Sequence, residues 1–255
     1  MIYKIDEAAQ KAINDYLNLD IEGKYVQSPY FINTNRKRDL RALVGKGTPQ
    51  EMLMEARIWE KLKGVNFLEM SEQDLKSFLS DRGIGIDCSG FVTHVLNYSY
   101  KSKHNKSIWS KFKIPSYGIF STLKYILRPV ENLGAEVITS LENCIKIDLK
   151  NVMPGDLIRS KSIKLNGHHI MIVTEVEKAD NIKVSKVTYV HSSPHFNENN
   201  GVKYGEIVVA EENNELQLQE WTEKDIKGNV PTLEGFLMNL EDNGLRRLKF
   251  SKELE

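Results

Sequence analysis

Apolar residues recur at helical spacing along the first part of the chain. Ile5, Ala8, Ala9, Ala12, Ile13, Tyr16 and Leu17 lie on one face, which predicts an amphipathic helix over residues 5–18. Residues 21–47 show no period. Thr48-Pro49-Gln50-Glu51 is a capping box with proline at the first helical position, so a helix starts there and runs to about Lys63. Ser71 opens a second short helix that Gly83 closes. A fourth helix begins at Cys88 and continues to about Tyr98, with Phe91, Val92, Val95 and Leu96 as its apolar positions. From Pro154 to about Ala210 the pattern changes. Runs rich in β-branched and aromatic residues, bounded by turn residues, predict strands. Lys178-Ala179-Asp180-Asn181 reads as a turn between two of them, and Gly244–Phe250 as a final edge strand. This order predicts an α+β fold, with helices first and then an antiparallel sheet.

Composition changes little in that picture. The chain has 255 residues, 40% hydrophobic and 27% charged, which suits a soluble domain with a sizeable core. Lys+Arg and Asp+Glu are both 35, so no net field favours nucleic acid or an anionic membrane as partner. No apolar run is long enough for a membrane span. Met1–Glu7 lacks the basic start and apolar stretch of a secretory signal; this favours the cytoplasm, with the cell envelope or exterior kept open. Two cysteines exclude a disulfide framework.

The chemistry centres on Gly85-Ile86-Asp87-Cys88-Ser89-Gly90-Phe91-Val92. A thiol at a helix N-terminus meets unpaired N–H groups and the positive end of the helix dipole, which favour the thiolate and predict a lowered pKa. A nucleophile needs a base. Of the six histidines, His168 and His169 open one apolar strand, and His191 lies near the end of the next, followed by His195. Antiparallel neighbours would set His169 and His191 on one face. His94 is badly phased for the cysteine and reads as structural. Adjacent His168 and His169 point to opposite faces, which argues against a zinc site; no metal and no cofactor are expected. Cys144 reads as a small buried hydrophobe. Arg36-Lys37-Arg38 with Arg41 reads as a solvated surface cluster, and Gly45-Lys46-Gly47-Thr48 fails as a phosphate loop because glycine follows the lysine.

The run Asp87–Val92, the run Pro154-Gly155-Asp156-Leu157-Ile158 and a histidine opening an apolar strand resemble the NlpC-type cell-wall peptidases, a family of papain-like cysteine peptidases. The resemblance covers about Gly83 to Ala210. It implies Cys88 as nucleophile, His169 as base and His191 as the third member that orients the imidazole, with Asp87, Ser89 and His168 as substrate-binding candidates. It implies a papain-like core at 83–255, with the catalytic helix packed on an antiparallel sheet. A helical N-terminal extension at 1–82 and a helical insertion at about 100–142 near the cleft complete the expected organisation. It further implies hydrolysis of an amide bond in peptidoglycan stem peptides; the oligomeric state is open, with a monomer expected. Two features depart from the family. Met171 stands where glycine is usual, and no tyrosine occurs between Phe31 and Cys88 to complete an oxyanion hole. Two alternatives stay open: an intracellular papain-like acyltransferase, deamidase or isopeptidase, and an inactive binding domain on a peptidase scaffold.

Overall fold

The structure, a computed structural model, describes residues 1–33, 40–115, 125, 127–162, 167–180, 182–210 and 215–254. Arg36, Lys37 and Arg38 of the basic cluster, and Tyr117 and Phe120 of the insertion, lie outside the described residues. The fold is mixed α+β around an antiparallel sheet.

The chain opens with strand β1 (Ile2–Lys4) and helix α1 (Glu7–Leu17). Asp6 caps α1 by accepting from the N–H groups of Ala8 and Ala9, and its other oxygen accepts from Ser99 Oγ at 2.6 Å. A small hairpin follows, β2 (Leu19–Ile21) and β3 (Lys24–Val26). Helices α2 (Pro49–Lys63) and α3 (Glu72–Asp81) both carry reciprocal capping boxes, Thr48 with Glu51 and Ser71 with Asp74. Helix α4 runs from Cys88 to His104. It outlasts the expected end at Tyr98 because Ser99 and Tyr100 also bury, and Asn105 closes it with φ 52°. Two single-turn helices follow, α5 (Pro129–Asn132) and α6 (Ala135–Ile138), with α7 (Pro231–Leu237) near the end of the chain.

The remaining strands are β4 (Cys144–Lys146), β5 (Leu157–Ser162), β6 (Gly167–Ala179), β7 (Lys183–Ser193), β8 (Gly201–Val208), β9 (Glu220–Trp221) and β10 (Gly244–Leu248). They pair in the order β4-β10-β5-β6-β7-β8-β9, and β1 joins β6 beside β5. The last strand is therefore not at an edge. Leu248 opposes Cys144 on one side, and Leu245 opposes Ile158 on the other.

The sheet separates two apolar layers. Ile170, Ile172 and Val190 pack with Phe91, Val92 and Val95 of α4 and with the N-terminal helices. Met171, Val173 and Tyr189 pack on the opposite face with Trp221 and Phe236. The residues before Cys88 are part of the first layer and of the sheet itself through β1, so the N-terminal segment is more than a helical addition.

Candidate active site

Cys88 is the first residue of α4. Asp87 precedes it as N-cap and accepts from Gly90 N–H at 2.6 Å. The turn leading in is held by its neighbours. Ile86 donates to Pro29 O at 3.0 Å, Asp87 donates to Gly45 O at 2.9 Å, and Ser192 Oγ donates to Ile86 O at 2.7 Å. The packing explains two glycines. Gly45 has φ 79°, and any Cβ there would stand 2.1 Å from Phe31 O; a Cβ at Gly90 would stand 2.7 Å from Gly45 O.

Lys46, between Gly45 and Gly47, is buried. Its ammonium pairs with Asp87 Oδ1 at 2.9 Å and donates to Ser89 Oγ at 2.5 Å, while Ser89 Oγ donates to Asp87 Oδ1 at 3.0 Å. Asp87 and Ser89 line the cavity as substrate-binding candidates, but these polar atoms are engaged in holding the start of α4. His94 is structural: its Nε2 bonds Lys46 O at 2.9 Å.

The position of the sulfur follows from strand geometry. In β6, Val173 both donates to Asp156 O and accepts from Gly155 N–H at 2.8 Å, so its main-chain groups face β5. Alternation turns those of His168 and Ile170 toward β7. But β7 pairs with β6 only from Ile172–Val190 onward. The thiol fills the opening. Sγ donates to His168 O at 3.7 Å, and the N–H of Ile170 is directed at it. The sulfur thus sits in the seam where β6 and β7 part, against the backbone that carries His169.

On the face of β6 that carries Met171 and Val173, opposite α4, the structure brings His169 and His191 together, with His169 Nε2 and His191 Nδ1 2.7 Å apart. The rings meet edge-on, with centroids 5.0 Å apart. His191 is fully buried, and its Nε2 lies 2.9 Å from Glu223 Oε1. Glu223 also accepts from Tyr189 OH at 3.0 Å and Thr232 Oγ1 at 2.8 Å, and pairs with Lys203 Nζ at 3.3 Å. His195 lies in the loop after β7, near enough to His191 and Glu223 to feel both charges. His168 projects to the α4 side with Ile170 and Ile172, and it lines the cavity beside Cys88 with Nε2 3.6 Å from Glu136.

The cavity has a volume of about 340 Å³. Tyr30, Lys46, Asp87, Ser89 and His168 line it, together with Glu131 and Glu136 from α5 and α6. The insertion is therefore divided. Its later part walls the cavity, whereas Trp109 and Phe112 brace the core at the other end of α4, where Phe112 meets Phe250 edge-on at 5.4 Å.

Electrostatics differ from the sequence expectation. Burial pushes the Cys88 thiol up to about 12, and the Asp87 carboxylate adds to the rise. Lys46 and the N–H groups of Ile170 and Ser89 oppose it but do not prevail. The lowered thiol pKa expected from the helix N-terminus is overturned because desolvation outweighs the helix dipole. Burial, then the neighbouring His191, hold His169 well below its ordinary range. Both groups rest neutral.

Three residues of the site escaped sequence reasoning. Tyr30 lies one residue before Phe31, and it shares the cavity with Cys88 because residues 30 and 86 bridge in parallel. Burial and the nearby Cys88 and Asp87 charges push its phenol upward. Lys46 had a visible signal, a cation between two glycines. Glu223 had none, because nothing in Trp221-Thr222-Glu223 announces a site. Among the described residues, no group of three or more His, Cys, Asp or Glu is arranged to hold a metal ion. No described helix is long and apolar enough to cross a membrane. No family model, no characterised protein and no solved structure matches the chain.

Proposed function

We propose that this protein is a papain-like cysteine hydrolase of the NlpC type that cleaves an amide bond in peptidoglycan stem peptides. The observation that carries the reading is the thiol seated in the β6–β7 seam, with the His169–His191 pair joined at 2.7 Å across it. Because His169 Nε2 is engaged with His191, the reading assigns the thiol's proton to Nδ1, the ring nitrogen nearer the strand.

Cys88 begins as the neutral thiol, so His169 acts as a general base rather than as the partner of a standing ion pair. The S–H proton moves to His169 Nδ1 as the sulfur's electron pair forms a bond to the substrate carbonyl carbon. The N–H of Cys88 at the helix start and the hydroxyl of Tyr30 are the donors for the developing oxyanion. His169 returns its proton to the leaving amine as the C–N bond breaks. Water, deprotonated by the same imidazole, then cleaves the thioester and frees Cys88.

Digestion of purified muropeptides, read by mass spectrometry, tests this. Cleavage by the native chain and none by Cys88→Ala supports it. Tyr30→Phe is expected to lower turnover roughly 10²–10³-fold, the range for losing one oxyanion donor, while leaving alkylation of Cys88 by iodoacetamide intact. Intact muropeptides with an alkylable, His169-dependent thiol would move the substrate to another amide. An unreactive thiol would leave the chain a binding domain.

A further inference from the structure

We propose that Glu223 is a positioning residue of the relay: its carboxylate sets the tautomers of His191 and His169 and balances the positive charge they take from Cys88. The inference rests on the reading of Cys88 and His169 as nucleophile and base.

Hydrogen-bond donors and acceptors must alternate along the chain of rings. A carboxylate only accepts, so His191 Nε2 must carry a proton to meet Glu223 Oε1 at 2.9 Å. In the neutral ring, His191 Nδ1 is then bare and accepts. His169 Nε2, 2.7 Å away, must be the donor. That leaves His169 Nδ1 unprotonated, the form a general base requires. One anion at the end of the line therefore dictates the state of a nitrogen two rings away.

The same anion answers an energetic difficulty. A proton arriving at the half-buried His169 is opposed by desolvation and by the nearby His191 and His195. At the thiol, Lys46 and Asp87 form a buried pair and leave little net charge. Glu223 is the buried negative group on the histidine side. Burial works to raise its pKa, but His191, Lys203 and Thr232 together hold it down to about 2, so it stays ionised. Lys203 offsets it only in part, because that ammonium is partly exposed and also sits over the Phe196 ring. Tyr189 and Thr232 donate to the second oxygen and fix the carboxylate's plane. Asp225 and Glu234 lie nearer His195 than the reacting pair and favour its charge.

The test is the rate of Cys88 alkylation by iodoacetamide as a function of pH, in native protein, Glu223→Gln, Glu223→Asp and His169→Ala. Glu223→Gln keeps the shape and an acceptor but removes the charge. It is expected to slow alkylation at neutral pH about tenfold and to delay the rise in rate by about one pH unit. Glu223→Asp, which restores the charge, is expected to recover part of the loss. An unchanged profile in Glu223→Gln, with His169→Ala still slow, overturns the inference and leaves the underlying reading standing. A profile unchanged in His169→Ala overturns that reading and the inference with it. Nitrogen NMR of histidine-labelled native protein decides the tautomers even where the buried substitution prevents folding. The expected result is N–H at Nε2 of both rings; a bare Nε2 on His191 overturns the inference.

Discussion

Two buried ionic clusters flank the thiol, and they do opposite things. On the α4 side, Lys46 and Asp87 meet at 2.9 Å with both side chains buried, and Ser89 ties them together. Desolvation decides, Asp87 adds to it and Lys46 does not prevail, so the thiol stays protonated. On the β7 side, Glu223 gathers His191, Lys203, Tyr189 and Thr232. There the carboxylate remains an anion beside the paired imidazoles. On the proposed reading, the first cluster holds the nucleophile in place, and the second prepares for the charge that its reaction would create. The electrostatic work would then lie mainly in the histidine side of the site, not in the helix N-terminus.

The strongest way to break the comparison is to remove the acceptor of the proton. His169→Ala is expected to lower kcat/KM roughly 10²–10⁴-fold, the usual contribution of a general base, with the fold retained. His168→Ala, on the α4 side of β6, is expected to cost much less. The reverse order of losses would move the base to the cavity wall beside Cys88 and detach the His191–Glu223 line from the chemistry.

Lys46→Met tests the holding cluster. It strands Asp87 as an unpaired buried carboxylate, which is expected to cost about 3–5 kcal/mol in denaturant unfolding. Asp87→Asn in the same background is expected to recover part of that loss. A variant as stable as the native chain would show that this pair is dispensable.

The smallest effect sharpens the picture through pH. Glu223 is held at about 2 against an ordinary 4.5, so its depressed pKa contributes stability above about pH 4.5 that is lost as pH falls toward 2. That shift corresponds to about 3 kcal/mol. His94, His168, His169 and His195 are all held below 6.5, with burial the leading cause. The unfolded chain binds protons at these positions below about pH 6.5 while the folded chain does not, so stability falls there first. Denaturant midpoints measured from about pH 8 down to about pH 3 should decline in both windows. A flat curve would mean the relay is not buried as described.

The sequence alone determined the local signals. Thr48 and Ser71 mark helix starts because a capping side chain bonds a backbone three residues away, which needs no distant partner. Cys88 at the start of α4 and histidines near the start of β6 and the end of β7 were legible for the same reason, since period and turn residues are local. Tertiary structure decided the rest. Gly244–Leu248 looks like a closing edge strand, yet pairing with β4 and β5 draws it into the sheet. Tyr30 joins the cavity beside Cys88 only through a bridge to Ile86, and Glu223 meets His191 only across β7 and the segment after β9. The thiol's own ionisation was misjudged for the same physical reason. The helix dipole can be read from a sequence position, but desolvation is the summed effect of every chain segment packed around the sulfur, and it becomes known only when those segments are in place.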